Sequence, residues 1–105
     1  MKREKTVSPQ EFPLEVAKII EGEIGCSPFS NLKCQKSKLV MARYLFMNMM
    51  TRYTNYPYPE IARYVKKDRT TVNYSFKYIE NYIATNKCFA EIHKRISSAV
   101  CLIKY

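Results

Sequence analysis

The chain has 105 residues and carries 18 basic and 9 acidic side chains, a formal net charge of +9 at pH 7. This length predicts a single domain with one hydrophobic core, and it leaves no room for a nucleotide-driven motor beside a binding module. The chain has only two glycines, whereas sheet proteins need more turn residues. We therefore predict an all-α fold, a compact bundle of five or six helices.

The charge is concentrated in the middle of the chain. Residues 1–25 contain four basic and five acidic side chains, residues 26–79 contain ten and two, and residues 80–105 contain four and two. A middle segment with a net charge of +8 predicts an anionic partner, and nucleic acid is the commonest partner of a small basic helical domain. An acidic membrane surface, or solubility alone, is the alternative explanation.

Several functional classes have no support in the sequence. The four cysteines, Cys26, Cys34, Cys88 and Cys101, lack C-x-x-C spacing, and His93 is the only histidine, so we expect no metal and no cofactor. No combination of acid, base and nucleophile is visible, so we expect neither catalysis nor a small-molecule substrate. Without a signal-peptide pattern or a long apolar run, we expect a cytoplasmic protein with reduced thiols and no membrane contact.

The first predicted elements are an arm and a helix. Residues 1–10 are polar and basic and predict a flexible arm, followed by a single helical domain over residues 11–105. Apolar residues with helical spacing predict the first helix over residues 13–24. Its stripe consists of Phe12, Val16, Ile19, Ile20 and Ile24.

A long helix is predicted over residues 36–53. Its inward stripe consists of Leu39, Ala42, Phe46, Met49, Met50 and Tyr53. A cluster of cations at its entrance opposes the helix dipole, which a phosphate would relieve. We hold phosphate contact and a merely solvated loop equally open for these cations, Lys33, Lys36 and Lys38.

Residues 57–83 predict two helices around a basic turn. Pro59 and Glu60 suit a first helical turn, and the apolar pattern is then interrupted from Lys66 to Arg69. A hydroxyl of Thr70 or Thr71 is the predicted cap of the second helix. Its buried stripe is Val72, Phe76, Ile79 and Ile83, with Asn73, Tyr74 and Lys77 outside. This layout is typical of a DNA-reading helix-turn-helix, although an ordinary capped helix start would look the same.

A last amphipathic helix is predicted after a break at residues 84–87. Its stripe is Phe89, Ile92, Ile96, Val100 and Ile103, which is long enough to form a dimer contact. The nine tyrosines of the chain would suit base stacking on single strands. Their helical spacing beside apolar residues instead favours half-buried positions in the core and at its rim, for example for Tyr53, Tyr64, Tyr78 and Tyr82.

The middle of the chain resembles the C-terminal DNA-binding domain of the bacterial replication initiator DnaA, over about residues 14–85. The family pattern contains A-R-Q, L-T-N, L-P-E-I-G and R-D-H-T-T-V in this order. The matching segments here are Ala42-Arg43, Thr54-Asn55, Tyr58-Pro59-Glu60-Ile61 and Asp68-Arg69-Thr70-Thr71-Val72. The resemblance implies a Trp-repressor-like helix-turn-helix that binds double-stranded DNA.

The resemblance also implies which residues contact DNA. The start of the family's recognition helix reads bases in the major groove, which here implies Asp68, Arg69, Thr70, Thr71 and Asn73. Contacts to the DNA backbone are implied for the surrounding residues. These are Lys33, Lys36, Lys38, Arg43, Pro59, Lys66, Lys67, Tyr74 and Lys77.

The chain departs from the family pattern at three places. Arg69 replaces the family's histidine, Lys66-Lys67 replaces a Gly-Gly-Arg, and Gln35 lies near the position of a minor-groove arginine. The chain also lacks the phosphate-binding G-x-x-x-x-G-K-[ST] loop of the ATPase that DnaA proteins carry. We therefore expect sequence-specific duplex binding without an ATPase domain. The alternative is a module of the same fold that forms a homodimer or binds a replication protein, in replication or mobile-element control, through the acidic face of the first helix or the apolar face of the last.

Overall fold

Five helices and one short pair of strands make up the part of the chain that the computed structural model describes, which is residues 5–6, 10–29 and 37–104. The predicted all-α fold is confirmed. The helices are α1 (Phe12–Ile24), α2 (Ser37–Tyr53), α3 (Tyr58–Tyr64), α4 (Arg69–Thr85) and α5 (Lys87–Cys101). In the described residues, every helix is too short or too polar to cross a membrane.

α2 is the central helix and packs against each of the other four. The predicted stripe is buried except for half-buried Tyr53, but so are residues on other sides of the helix, including Arg43, Leu45, Met47 and Asn48. The prediction of a single inward stripe was therefore too narrow. Polar Arg43 and Asn48 made the far side of α2 look exposed in the sequence, whereas neighbouring helices cover it.

α1 begins and ends as its sequence predicts. Pro13 lies in the first turn, where its missing amide hydrogen costs nothing. The helix ends at Gly25, whose φ of 92° is left-handed and whose amide donates to the carbonyl of Glu21 at 2.8 Å. Phe12, Val16 and Ile20 are buried against the rest of the core.

α5 closes the core from the other end of the chain. The Asn86 side chain caps it by accepting a hydrogen bond from the amide of Phe89 at 2.9 Å. Phe89, Ile96 and Val100 are buried, so the apolar face of α5 belongs to the core of the monomer. This corrects the expectation that the last helix offers an apolar stripe for a dimer.

The segment after α5 differs from the predicted continuous helix. Ile103 lies beyond the helix, in strand β2 (Ile103–Lys104), which pairs in parallel with β1 (Lys5–Thr6). Backbone pairing therefore gives residues 5–6 a regular structure that the prediction of a flexible arm did not include. Residues 1–4 and 7–9 of that arm lie outside the described part of the chain.

Candidate nucleic-acid interface

The turn between α3 and α4 is a Schellman motif. The amide of Lys67 donates to the carbonyl of Ala62 at 3.0 Å, and the amide of Lys66 donates to the carbonyl of Arg63 at 3.2 Å. This pair of bonds ends α3 and requires a left-handed residue after its last turn. That residue is Lys66, with φ of 54°, where the family pattern has glycines. Both lysine side chains are exposed on the outside of the turn.

Asp68 caps α4. Its Oδ1 accepts hydrogen bonds from the amide of Thr71 at 3.0 Å, the hydroxyl of Thr71 at 3.1 Å and the hydroxyl of Thr70 at 2.5 Å. The bonds from Thr70 and Thr71 lower the pKa of the Asp68 carboxyl, so it is ionised at neutral pH. The predicted cap, a hydroxyl of Thr70 or Thr71, was wrong. Carboxylate Oδ1 can accept several donors at once, and both hydroxyls point back to it.

An outward strip runs along the first half of α4. A rotation of 100° per residue places Thr70 and Lys77 opposite buried Val72 and Ile79, and Asn73 and then Arg69 follow on one side of them, within an arc of about 100°. All four strip residues are exposed, as predicted for Asn73 and Lys77. Thr71 is half-buried and lies beside the strip. Among the residues with predicted base-reading roles, Arg69, Thr70 and Asn73 are therefore the ones whose side chains are presented together.

A recess of about 230 Å³ lies between α2 and the start of α4. It is lined by Val40, Arg43, Tyr44, Met47, Lys67 and Thr71. Arg43 is only 1% exposed, which corrects the expectation that it contacts the DNA backbone from the surface. Arg43 lies in the interior and lines this recess together with Lys67 and Thr71.

The other expected backbone contacts are spread over the turn and its surroundings. Pro59 is exposed in the first turn of α3, and Tyr74 is exposed on α4. Lys38 lies in the first turn of α2. Lys33 and Lys36, like Gln35, fall outside the described residues.

Aromatic rings form a flank of α4 that the sequence did not reveal. Tyr74 is 59% exposed and Tyr78 is 41% exposed, so Tyr78 does not have the half-buried position predicted for it. Tyr44 of α2 packs edge-on against both, with ring centroids 6.1 Å from Tyr74 and 5.4 Å from Tyr78. We call Tyr44, Tyr74 and Tyr78 the tyrosine flank.

A polar network lies behind α4 and was also missed in the sequence; Asn48 and His93 in it are buried, whereas Arg52 and Glu80 are about one-third exposed. His93 Nε2 lies 2.9 Å from Asn48 Oδ1, and Asn48 Nδ2 donates to Glu80 Oε2 at 3.0 Å. Arg52 donates to both carboxylate oxygens of Glu80, at 2.8 and 3.0 Å from Nη2. The four residues are 45 positions apart at the extremes, so no local spacing in the sequence indicates them.

This network determines the charge states of its members. Burial lowers the pKa of His93, with a further lowering from the nearby Arg52 cation, so its ring is neutral and Nε2–H donates to Asn48. Burial raises the pKa of Glu80, but hydrogen bonds from Arg52 and Asn48 outweigh burial and leave the pKa lowered. Among the described residues, no three His, Cys, Asp or Glu side chains come close enough together to hold a metal ion.

The helix-turn-helix segment matches a known protein family. The family model described as the bacterial DnaA protein helix-turn-helix matches residues 16–79, which is more than half of the chain. The matched span includes all of α2 and α3, the Schellman turn and the outward strip of α4. A search against curated proteins gave no match. The resemblance found in the motifs is confirmed, and the chain belongs to the family of bacterial DnaA helix-turn-helix domains, which bind DNA.

Proposed function

We propose that this domain binds double-stranded DNA sequence-specifically, with the start of α4 in the major groove. The observation that carries the proposal is the outward strip, where Arg69, Thr70 and Asn73 are exposed at the end of a helix that follows a tight basic turn. An α-helix fits the major groove, and the residues of its first turns reach the base edges. The buried side of the same helix is anchored by Val72, Ser75 and Ile79.

The chemistry of the strip suits base edges. Arg69 can donate two hydrogen bonds to a guanine, Asn73 can pair with an adenine, and the Thr70 methyl group can meet a thymine methyl. Arg69 and Asn73 are four residues apart, about 6 Å along the helix axis, which is roughly the rise of two base-pair steps. Asp68 and Thr71 also act indirectly in this proposal, because the hydrogen bonds between them fix the direction in which the side chains of the strip point.

Contacts to the DNA backbone surround the strip. Lys66 and Lys67 extend from the turn at one end, and Tyr74 and Lys77 lie further along α4. Pro59 is exposed in the first turn of α3. Lys33, Lys36 and Lys38 remain proposed contacts at the entrance of α2. Such contacts position the helix and provide salt-dependent affinity without reading the sequence.

The test is a fluorescence-anisotropy titration with duplexes selected from a random pool. If roughly five phosphates are neutralised, log K falls by about 4 to 5 per unit of log salt concentration. Arg69→Ala should lose about 1 to 3 kcal/mol of preference at one base pair. Lys77→Ala is the matched control, since it removes one exposed cation from the same helix and should weaken all duplexes alike.

Two results would reject the proposal. The first is no binding to any duplex at low salt. The second is an equal loss for both variants on every duplex, which would show that Arg69 acts only through its charge.

A protein-interaction role is the second candidate, and one observation favours it. Leu14 is 50% exposed on the acidic outer side of α1, beside a recess of about 300 Å³ that Glu11, Glu15 and Glu21 help to line. Truncation of α5 is not a fair test of association, because its apolar residues form part of the core. Light scattering on Leu14→Glu tests it instead, and an assembly that disappears in this variant, without any DNA binding by the parent protein, would favour this candidate.

A further inference from the structure

The tyrosine flank exposes two aromatic side chains, Tyr74 and Tyr78, on the surface of α4. Tyr74 and Tyr78 are one helical turn apart, with ring centroids 6.3 Å apart and planes inclined by 29°. Tyr44 holds them from the side, with interplanar angles of 77° and 71°. The two exposed rings are therefore supported from α2 and face similar directions. Exposure of two aromatic rings to water is unfavourable, and a ligand that covers the rings removes this cost.

Within the tyrosine flank, Tyr78 lies furthest from the outward strip, whereas Tyr74 is only about 40° from Thr70 around the helix axis. A rotation of 100° per residue puts Tyr78 about 140° away from Asn73 and beside half-buried Thr71 and Tyr82. The flank thus lies towards α2, whereas Asn73 lies towards the opposite side. Base reading by the strip in a duplex does not engage the ring of Tyr78.

Cationic groups adjoin the flank. Tyr44 also lines the recess that contains Lys67 and Thr71. Lys77 is exposed between Tyr74 and Tyr78 in the sequence. A ligand that covers the rings therefore has two cationic side chains nearby: Lys67, which lines the recess together with Tyr44, and Lys77, three residues after Tyr74 on α4. This combination of π faces and nearby cations matches a chain of bases joined by phosphates.

We propose that the tyrosine flank binds single-stranded DNA by stacking its bases on Tyr74 and Tyr78. The phosphates of the strand are neutralised by Lys67 at the recess and by Lys77. The strand must be unpaired, because in a duplex the faces of the bases are covered by their neighbours and only their edges are accessible. The domain would thus bind base edges in a duplex and base faces in a single strand through adjoining surfaces that share Tyr74 and Lys77, and Tyr78 is the ring that belongs to the single-strand surface alone.

The experiment measures both activities on the same protein. A fluorescein-labelled oligothymidylate of about 12 nucleotides, which does not pair with itself, is titrated in parallel with the selected duplex. Tyr78→Leu should weaken binding of the single strand by about ten-fold, within the ~5- to 150-fold range expected for loss of one base–aromatic stack. Its duplex affinity should stay unchanged. Tyr78→Phe keeps the ring and should keep single-strand binding.

Two controls separate stacking from charge and from loss of fold. An abasic strand of the same length has the phosphates without the bases and should bind much more weakly than oligothymidylate. Tyr58→Leu makes the same substitution at a tyrosine of α3 with similar exposure, 39%, and should leave single-strand binding unchanged. Circular dichroism confirms that each variant is folded.

Three outcomes would overturn the proposal: equal binding of abasic strand and oligothymidylate, no effect of Tyr78→Leu on the single strand, or a dimer in light scattering that dissociates in Tyr78→Leu. The last outcome would mean that a second copy of the chain covers the flank. The proposal does not depend on the proposed duplex function, because loss of duplex binding leaves the single-strand titration intact.

Discussion

Lys66 has a backbone conformation that side chains with a Cβ rarely adopt. Its φ of 54° places it in the left-handed region, where the Schellman motif of α3 requires a residue and where glycine is the usual choice. For a residue other than glycine, this conformation costs roughly 1 to 2 kcal/mol. The chain thus gives up stability at this position and places a cation at the tip of the turn.

The first prediction concerns this residue. Lys66→Gly should raise the free energy of unfolding by about 1 kcal/mol, because relief of the left-handed strain exceeds the added freedom of glycine in the unfolded chain. Thermal or urea denaturation measures this gain. The same variant should bind duplex DNA more weakly, since it loses one positive charge beside the proposed groove contact.

Lys67→Gly is the matched control for Lys66→Gly. It removes an equal charge from the neighbouring exposed position, which does not have a positive φ. Lys67→Gly should leave the stability unchanged or lower it. It should weaken DNA binding to about the same extent as Lys66→Gly. Equal changes in stability for the two variants would contradict the assignment of strain to Lys66.

At the scale of elements, α4 and α5 begin with side-chain caps of the same kind. Asp68 accepts from the amide of Thr71 at 3.0 Å, and Asn86 accepts from the amide of Phe89 at 2.9 Å. Only the first cap lies at the proposed DNA surface. The two caps therefore allow the effect of a cap on stability to be separated from its effect on binding.

The second prediction compares these caps. Asn86→Ala should cost about 1 kcal/mol of stability and leave duplex affinity unchanged. Asp68→Ala should lower stability as well and should also weaken duplex binding, because it frees Thr70 and Thr71 at the start of the outward strip. Chemical denaturation and anisotropy provide the two measurements.

Asp68→Asn refines this comparison. Asparagine caps helices about as well as aspartate, so the variant should stay close to the parent protein in stability. If Asp68→Ala bound duplex DNA no more weakly than Asn86→Ala at equal stability, the cap would have no part in orienting the strip.

The helices were predictable from sequence to the extent that their residues interact locally. Phe12, Val16 and Ile20 recur with helical spacing, and the predicted first helix is found as α1. Contacts that depend on distant parts of the chain were not predictable. The cover around Arg43, the exposure of Tyr78 and the place of Ile103 in a strand are set by neighbours from other elements.

The candidate site likewise has features that the sequence predicts and features that it does not. The exposure of Asn73 and Lys77 follows from the periodicity of α4 alone. The tyrosine flank required Tyr44, which is 30 residues away from Tyr74 in the sequence and reaches it only because α2 packs against α4. Spacing within one helix does not contain this information.

At the scale of the whole molecule, the polar network connects three helices. Asn48 and Arg52 belong to α2, Glu80 to α4 and His93 to α5. Loss of Asn48 or His93 leaves a buried polar group of the other residue without its bond, which typically costs about 1 to 3 kcal/mol. The network therefore fixes the position of α4 relative to the core behind it.

The third prediction is a pH dependence of stability. The pKa of His93 is lowered from its ordinary value of 6.5 in the folded state, so the unfolded chain takes up a proton first as the pH falls. The contribution of neutral His93 is complete above pH 6.5 and is lost as the pH falls below that value towards the folded pKa. Urea denaturation between pH 7.5 and 5 should show stability decreasing in this direction.

His93→Gln is the control for that titration. Glutamine has an amide that can still donate to Asn48 but does not titrate, so the variant should show a flatter dependence in this range. The lowered pKa of Glu80 places the titration of its carboxyl at more acidic pH. An unchanged slope in His93→Gln would show that another group is responsible.

The position of α2 at the centre of the bundle determines how the domain unfolds. Because α2 packs against all four other helices, removing any one of them uncovers part of its buried surface. No helix can then separate while the remainder keeps a complete core, which favours a single cooperative transition over stepwise melting. The backbone strain at Lys66 in a surface turn consequently lowers the stability of the whole domain, and its energetic cost is measurable in global unfolding.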